Sequence, residues 1–378
     1  MQFTSEHVAL QDSVRQFVAN EINPNIDEWE KAGIFPAHEL FRKAGDLGFL
    51  GISKPEAYGG LDLDFSYTIA YCEAIGSIAA QGVATAINVQ TDMATPALAR
   101  FGSDELRKEF LAPSITGEYV ACIGVSETGA GSDVASLKTR ARKDGDDYLI
   151  SGQKTFITNG GNANLIIVAC RTGGEGSKGM SLVVVETEHA QGFRRGRLLD
   201  KIGMKAQDTA ELFFDDLRVP AHNLLGAAEG QGFVQLMQQL PQERLIVALG
   251  GIAAMERALA ETLAYVKERK AFGKTIWEFQ NTRFKLAEVQ ATVLAARAMV
   301  DAAMVAHLRG ELGVERAALL KYWVTEQQGK VMDECLQLFG GYGYMSEYPI
   351  AELYTDARVQ RIYGGTNEIM KELAARFM

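Results

Sequence analysis

The feature that most limits this fold is a block of strands with no helices between them. Residues 119–226 hold the runs DYLISG, LIIVAC, SLVVVET and AELFFDDLRV, parted by KDGDD and RTGGEGSKG. The runs are rich in β-branched and aromatic residues, and the separators are Gly and Asp turn chemistry. A doubly wound sheet needs a helix-length segment between successive strands, and none is present. The block therefore predicts a small antiparallel sheet or barrel.

Both flanks read as helix. In 1–118, Val8, Val14, Phe17 and Val18 fall on one helical face, with Ser5 as candidate N-cap. INPNIDEWEKAG and PEAYGGLDLD punctuate this part. From about Ala227 the helical period returns: Leu245, Leu249, Ile252, Met255, Leu259, Leu263 and Val266 step by three and four. RKAFGK breaks it. A second long helix is expected from about Thr282 and a third over roughly 314–338. The expectation is a mostly α chain with a central β domain. It comprises an N-terminal α-helical domain at 1–118, a middle antiparallel β-barrel at 119–226 and a C-terminal four-helix bundle at 227–378.

Composition excludes several function classes. A net charge of −10 argues against a general nucleic-acid binder while leaving room for a local basic pocket. The four cysteines are scattered without a C-x-x-C pair, as in a chain with reduced thiols. The five histidines show no ligand spacing, so no metal site is expected. The N-terminal MQFTSEHVALQDSVRQF is polar and amphipathic. It lacks the apolar core of a signal peptide and the Arg/Ser richness of a transit peptide, which points to a cytoplasmic protein. No apolar run is expected to span a membrane.

Four stretches could carry chemistry, and each has a plain alternative. GVSETGAGSD (124–133) offers glycines for close backbone approach and the hydroxyls of Ser126 and Ser132, or is simply a Ser/Gly loop. KTFITNGGNAN (154–164) is a strand ending in an amide-rich turn. RKAFGK (269–274) could hold a phosphate, or is a helix C-terminus dressed with cations. QLFGGYGYMSEYP (337–349) could be no more than a tight Gly-rich connection. One acid also stands out. Glu243, in LPQERLIVA, precedes an apolar run where an unpaired charge is costly. Its plain reading is a pair with Arg244 or a helix cap, and Pro241 before it either starts a helix or kinks one.

Taken together, the stretches resemble the acyl-CoA dehydrogenase family. GVSETGAGSDVAS and QLFGGYGYMSEYPIAELYTD are similar to its two signatures. FITN and RKAFGKTIWEFQ resemble its flavin-flanking segments, and the α, β, α order is that of the family. KAQDTAELFFDDLRVP, LPQERLIVA and IYGGTNEIMKEL look most like its long-chain subgroup. The resemblance implies FAD-dependent oxidation of a fatty acyl-CoA thioester to trans-2-enoyl-CoA, with a medium-to-long straight chain. Electrons would pass to an electron-transfer flavoprotein, and the chain would form a homotetramer, a dimer of dimers.

It also implies roles residue by residue. Ile123, Val125, Ser126, Ser132, Phe156, Ile157 and Thr158 would hold the flavin of their own subunit. Arg269, Gln280, Gln337, Gly340 and Gly341 would reach a neighbour's FAD, and Thr366, Asn367 and Glu368 would close over its far end. Ser132, Arg244, Gly364 and Gly365 would meet the acyl-CoA. In many members a glutamate at the position of Gly364 takes the substrate's α-proton. Glycine cannot, and by resemblance to the long-chain and isovaleryl members the base is Glu243. Two departures stand out: Thr128 for the usual proline, and Glu352 for a basic residue. The alternatives are a short branched-chain (isovaleryl-like) dehydrogenase, a flavin oxidase using oxygen, and a non-catalytic acyl-CoA or flavin-binding scaffold.

Overall fold

The computed structural model describes residues 3–378. Its first third is helical: α1 (Ser5–Phe17), α2 (Ile26–Ala32), α3 (Ala37–Asp46), α4 (Phe65–Ile75), α5 (Gln81–Asn88), α6 (Thr95–Phe101), α7 (Asp104–Leu106) and α8 (Ala112–Ile115). The N-cap of α1 is Thr4 rather than Ser5. The Thr4 backbone N–H donates to Nδ1 of His7 at 3.2 Å, closing the first turn. Val8 is also off the expected face at 44% exposed; Val14, Phe17 and Val18 are buried. A stripe of apolar residues at spacings of three and four leaves its margin undecided until tertiary contacts choose the buried face.

The middle third is a seven-stranded sheet of β1 (Ala121–Gly124), β2 (Arg140–Asp144), β3 (Asp147–Thr158), β4 (Leu165–Arg171), β5 (Met180–Glu186), β6 (Phe193–Leu198) and β7 (Thr209–Pro220). The ladder path runs β1-β4-β2-β3-β7-β6, with β5 on the other side of β4. Most pairings are antiparallel, as expected of a middle β domain, but β1 and β2 pair with β4 in parallel. The sheet curls, and it is buried by alternation. Leu165, Ile167, Leu182 and Val184 face Leu98, Leu106, Phe110 and Leu236, while Ile166, Val168, Val183 and Val185 face Tyr148, Leu212, Phe214 and Leu217.

The last third holds α9 (Gly232–Glu268), a two-stranded hairpin of β8 (Lys270–Ala271) and β9 (Lys274–Thr275), α10 (Gln280–Leu308), α11 (Val314–Phe339), α12 (Pro349–Ala357) and α13 (Asn367–Ala375). Pro241 neither starts α9 nor ends it; the helix continues through it. Arg297 of α10 meets Glu256 of α9 at 2.8 Å, and Lys285 meets Glu334 of α11 at 2.9 Å. Tyr265 of α9 stacks on Phe339 of α11. These contacts set α10 antiparallel to both neighbours and α9 parallel to α11. By length and composition α10 could cross a membrane, contrary to the expectation that no apolar run is long enough to do so. Here Leu286, Val289, Val293 and Val300 pack it into the core, and Arg297 also binds Glu73 at 2.8 Å.

The two helical thirds share one core. A single cluster of buried side chains runs from Val14, Phe17 and Ile22 through Leu245, Leu249 and Met255 to Leu320 and Leu353. All four cysteines are free and buried.

Candidate active site

Glu243 lies in the first half of α9, half-buried, at the point where α9 passes α6 and the 364–367 loop. The plain reading, a pair with Arg244, is absent. Among the described residues no hydrogen bond or ion pair reaches the Glu243 carboxyl. Desolvation by the surrounding protein pushes this carboxyl up to about 7; Asp92 adds to the rise, while Arg244 and Arg100 oppose it. Arg100 is turned instead to Gln242 Oε1, at 2.6 Å. A carboxyl with this proton affinity, in protein-dense surroundings and without a partner, has the properties of a general base.

Opposite it stands the glycine loop. The buried Arg244 guanidinium, its proton affinity lowered by desolvation, donates from Nε to Gly364 O at 3.5 Å. A Cβ on Gly364 would meet nothing nearer than Val247 Cγ2 at 3.9 Å. Val247 is one helical turn beyond Glu243, so the loop and the carboxyl face the same space. Gly364 and Gly365 both have positive φ, +64° and +94°, where glycine is favoured. A Cβ on Gly365 would collide with Met370 Cε. Tyr363 precedes the loop, and Thr366 caps α13 by accepting from Ile369 N–H at 3.3 Å.

The sheet side brings GVSETGAGSD and KTFITN together. β1 has β4 as its sole ladder partner, so its other edge is open through Ile123. Val125 and Ser126 continue that edge and are half-buried. A tight turn follows, closed by reciprocal bonds between Glu127 and Ala130, and Thr128 occupies its first central position. Thr128 there accepts from Gln153 Nε2 at 3.4 Å, so its replacement of proline leaves the turn intact. Ser132 is exposed beyond the turn. Phe156 projects from a bulge in β3, 69% exposed and at φ +60°. Ile157 buries its side chain in the sheet core, so it can offer only backbone to a ligand. Thr158 accepts from Gln207 Nε2 at 3.1 Å and keeps its own hydroxyl donor free. An open strand edge, a solvent-facing aromatic and a free hydroxyl fit a flat heteroaromatic ring with polar edges, as a flavin has.

One buried ion pair fastens these two stretches, and the sequence reading missed it. Lys154 Nζ meets Glu127 Oε1 at 2.8 Å, with side chains 0% and 8% exposed. Glu127 also accepts the backbone N–H groups of Lys138 and Thr139 at 2.6 and 2.9 Å, and Lys154 reaches Val125 O at 3.0 Å.

The remaining candidates lie elsewhere. Arg269 ends α9, Gln280 begins α10, and Gln337, Gly340 and Gly341 end α11. All five are exposed at one end of the bundle, where Arg269 lies over the Tyr342 ring at 5.2 Å. RKAFGK is a hairpin after the helix end, its tip Phe272 at 95% exposed. Thr366, Asn367 and Glu368 lie at the other end of α11, beside Lys321 and Thr325. From Lys321 to Gln337 along that helix is about 24 Å. Glu368 is exposed. Asn367 is buried, and its carboxamide is engaged by Lys321, Thr325 and Glu326. Glu352 is pushed up to about 8 by desolvation, with Asp356 and Glu30 adding to the rise and Arg257 opposing it.

Comparison with known proteins gives three matching family profiles: the acyl-CoA dehydrogenase N-terminal domain at 4–118, its middle domain at 122–217 and its C-terminal domain at 230–378. The chain is 46% identical to the mitochondrial long-chain specific acyl-CoA dehydrogenase of Sus scrofa, over 99% of this chain and 86% of that protein. It is 34% identical to the mitochondrial isobutyryl-CoA dehydrogenase of Dictyostelium discoideum, over 99% of this chain and 89% of that one. A crystal structure of an acyl-CoA dehydrogenase from Geobacillus kaustophilus superposes with a TM-score of 0.96 at 44% identity, covering 99% of this chain and 98% of that one.

Proposed function

The chain belongs to the acyl-CoA dehydrogenase family, and from that premise we propose that it oxidises medium-to-long straight-chain fatty acyl-CoA thioesters to trans-2-enoyl-CoA, with Glu243 as the base. One observation carries the reading. A partner-free carboxyl raised to about 7 faces a glycine loop that has no acid of its own. The α-proton beside a thioester is too weakly acidic to leave unaided. Glu243 takes it, and the Gly364 N–H, with Gly365 beside it, receives the carbonyl oxygen on which negative charge develops. Arg244 lines the same space and keeps the loop against α9. Closure over substrate removes further water from the carboxyl and makes it a stronger base.

Family members are flavoproteins, and FAD, when bound, would supply the acceptor for the β-hydride. Ile123, Val125 and Ser126 would hold it through the open edge of β1, Phe156 and Thr158 would flank it, and Ile157 would contribute backbone. Ser132 lies where it can meet both FAD and the CoA moiety. Arg269, Gln280, Gln337, Gly340 and Gly341 serve the FAD of a second subunit, and Thr366, Asn367 and Glu368 enclose its far end, Asn367 by holding the loop. Such sharing requires at least a dimer; by likeness to the family the assembly is a homotetramer, a dimer of dimers, and an electron-transfer flavoprotein is the acceptor. The segments 1–118, 119–226 and 227–378 are the three domains of this reading.

Anaerobic reduction of the purified flavoprotein by acyl-CoAs from butyryl to stearoyl, isovaleryl- and isobutyryl-CoA among them, tests it. The expected result is bleaching fastest with medium-to-long straight chains. Fastest bleaching by a branched short thioester would replace the substrate class, and no bleaching by any thioester would remove the reaction.

A further inference from the structure

Two adjacent glycines at positive φ form the least restrained stretch a chain can contain, yet the proposed thioester site depends on their backbone. Something outside the loop must fix them. Gly364 O is drawn to Arg244 of α9 at 3.5 Å, and Gly365 O to Lys321 Nζ of α11 at 2.7 Å. Lys321 is wholly buried, and among the described residues no carboxylate stands within 4 Å of it. Its other acceptor is Asn367 Oδ1 at 3.2 Å, which Thr325 Oγ1 also engages at 3.0 Å. A trans peptide directs its N–H opposite to its C=O. With both carbonyls turned to cations, the N–H groups of Gly365 and Thr366 point away from the Arg244 and Lys321 head groups. Among the described residues, the N–H groups of Gly364, Gly365 and Thr366 meet no acceptor.

We infer that Lys321 is a positioning residue for the dehydrogenation: its amine, buried with no carboxylate in contact, holds the peptide after Gly365 and so steadies the loop whose Gly364 N–H receives the thioester carbonyl. The inference rests on the acyl-CoA dehydrogenase reading. It gives a physical reason for a lysine in the apolar run AALLKYWV, where burial without a carboxylate is costly unless the charge has a task. Desolvation, with Arg244 nearby, brings Lys321 down to about 7, against which Glu368 acts weakly. Charged or neutral, the amine still donates to Gly365 O. The lock therefore depends on the side chain's reach more than on its charge.

The test compares Lys321→Met with Thr325→Val, which removes one bond to Asn367 and leaves the one between Lys321 and Gly365. Lys321→Met should keep its FAD, reduce it about 10–100-fold more slowly, and leave KM within about threefold. It should bind a 3-thia-acyl-CoA, whose α-proton is acidified, with weaker long-wavelength absorbance than wild type, because the enolised thioester is less well held. Thr325→Val should stay within about threefold of wild type in both measurements. Lys321→Met at wild-type rate and absorbance would overturn the inference. So would Thr325→Val falling as far as Lys321→Met, since loop anchoring in general would then be the cause. Should Lys321→Met fail to fold, Lys321→Gln is judged by the same two criteria. A wild-type protein unreactive to every acyl-CoA defeats the function reading itself, whereas a reactive wild type with an unaffected lysine variant defeats only this inference.

Discussion

Glu243 links stability and rate through one proton. Burial raises it from the ordinary 4.5 to about 7, so between those values the folded chain binds a proton that the unfolded chain has released. Its contribution to stability therefore falls as pH climbs through that window, while its ionised, base-competent fraction rises. Glu243→Gln should remove this part of the pH dependence, read by urea unfolding on either side of about pH 6. It should also lose flavin reduction by ~10²–10⁴-fold or more while still binding substrate. Reduction by the wild type should rise with pH through about 7 in stopped-flow measurements; a flat profile there would remove Glu243 from the base role. In the sequence an acid before a greasy run makes this residue legible as unusual, but that pattern alone favours a pair with Arg244 or a cap, and the base role comes from the family resemblance. Lys321 was not legible for the opposite reason. A single lysine in a helical run reads as a solvent-facing position, and only the packing of α13 against α11 reveals that it points inward.

At the scale of elements, the site is a matter of which strands and loops are tied together. The buried pair of Lys154 and Glu127 joins the turn after β1 to the bulge of β3. Lys154→Met leaves Glu127 a buried charge without its cation, which costs about 3–5 kcal/mol. The variant should unfold at lower urea and purify with less FAD, and normal stability with full flavin would show the pair to be incidental. The glycine loop gives a second prediction. Glu243→Gly with Gly364→Glu should recover part of the rate lost by Glu243→Gly, because a Cβ at 364 has open space around it. Recovery stays partial, because φ of +64° strains any L side chain by roughly 1–2 kcal/mol. No recovery in single-turnover assays would mean that the carboxylate cannot reach from the loop. β3, β4, β5 and β7 were readable as hydrophobic runs. β6, FRRGRL, was not, since an edge strand with outward charges has no apolar signature. Alternation assigns a residue to a face and is silent on partners, so the parallel pairing of β1 with β4 also lay beyond the sequence.

Across the whole molecule, the two groups of residues proposed to meet FAD lie about 24 Å apart on α11. Arg269→Ala, at the hairpin end, removes the cation over Tyr342 and a residue proposed to serve a second subunit. It should lower both flavin content and assembly size by light scattering; a fully flavinated, normally assembled variant would contradict the sharing of cofactor between chains. The α, β, α order was plain in the sequence because each third keeps its own periodicity. Their interdependence was not, because periodicity does not say which helices share a core. That shared core has a consequence during synthesis. α1 finds its neighbour α4 soon after synthesis, but α4 also packs on α9, whose Leu245, Leu249 and Met255 are translated long after it. At roughly 5–20 residues per second α4 waits on the order of ten seconds to a minute with that face uncovered, and throughout that time the nascent chain is a natural client for a chaperone.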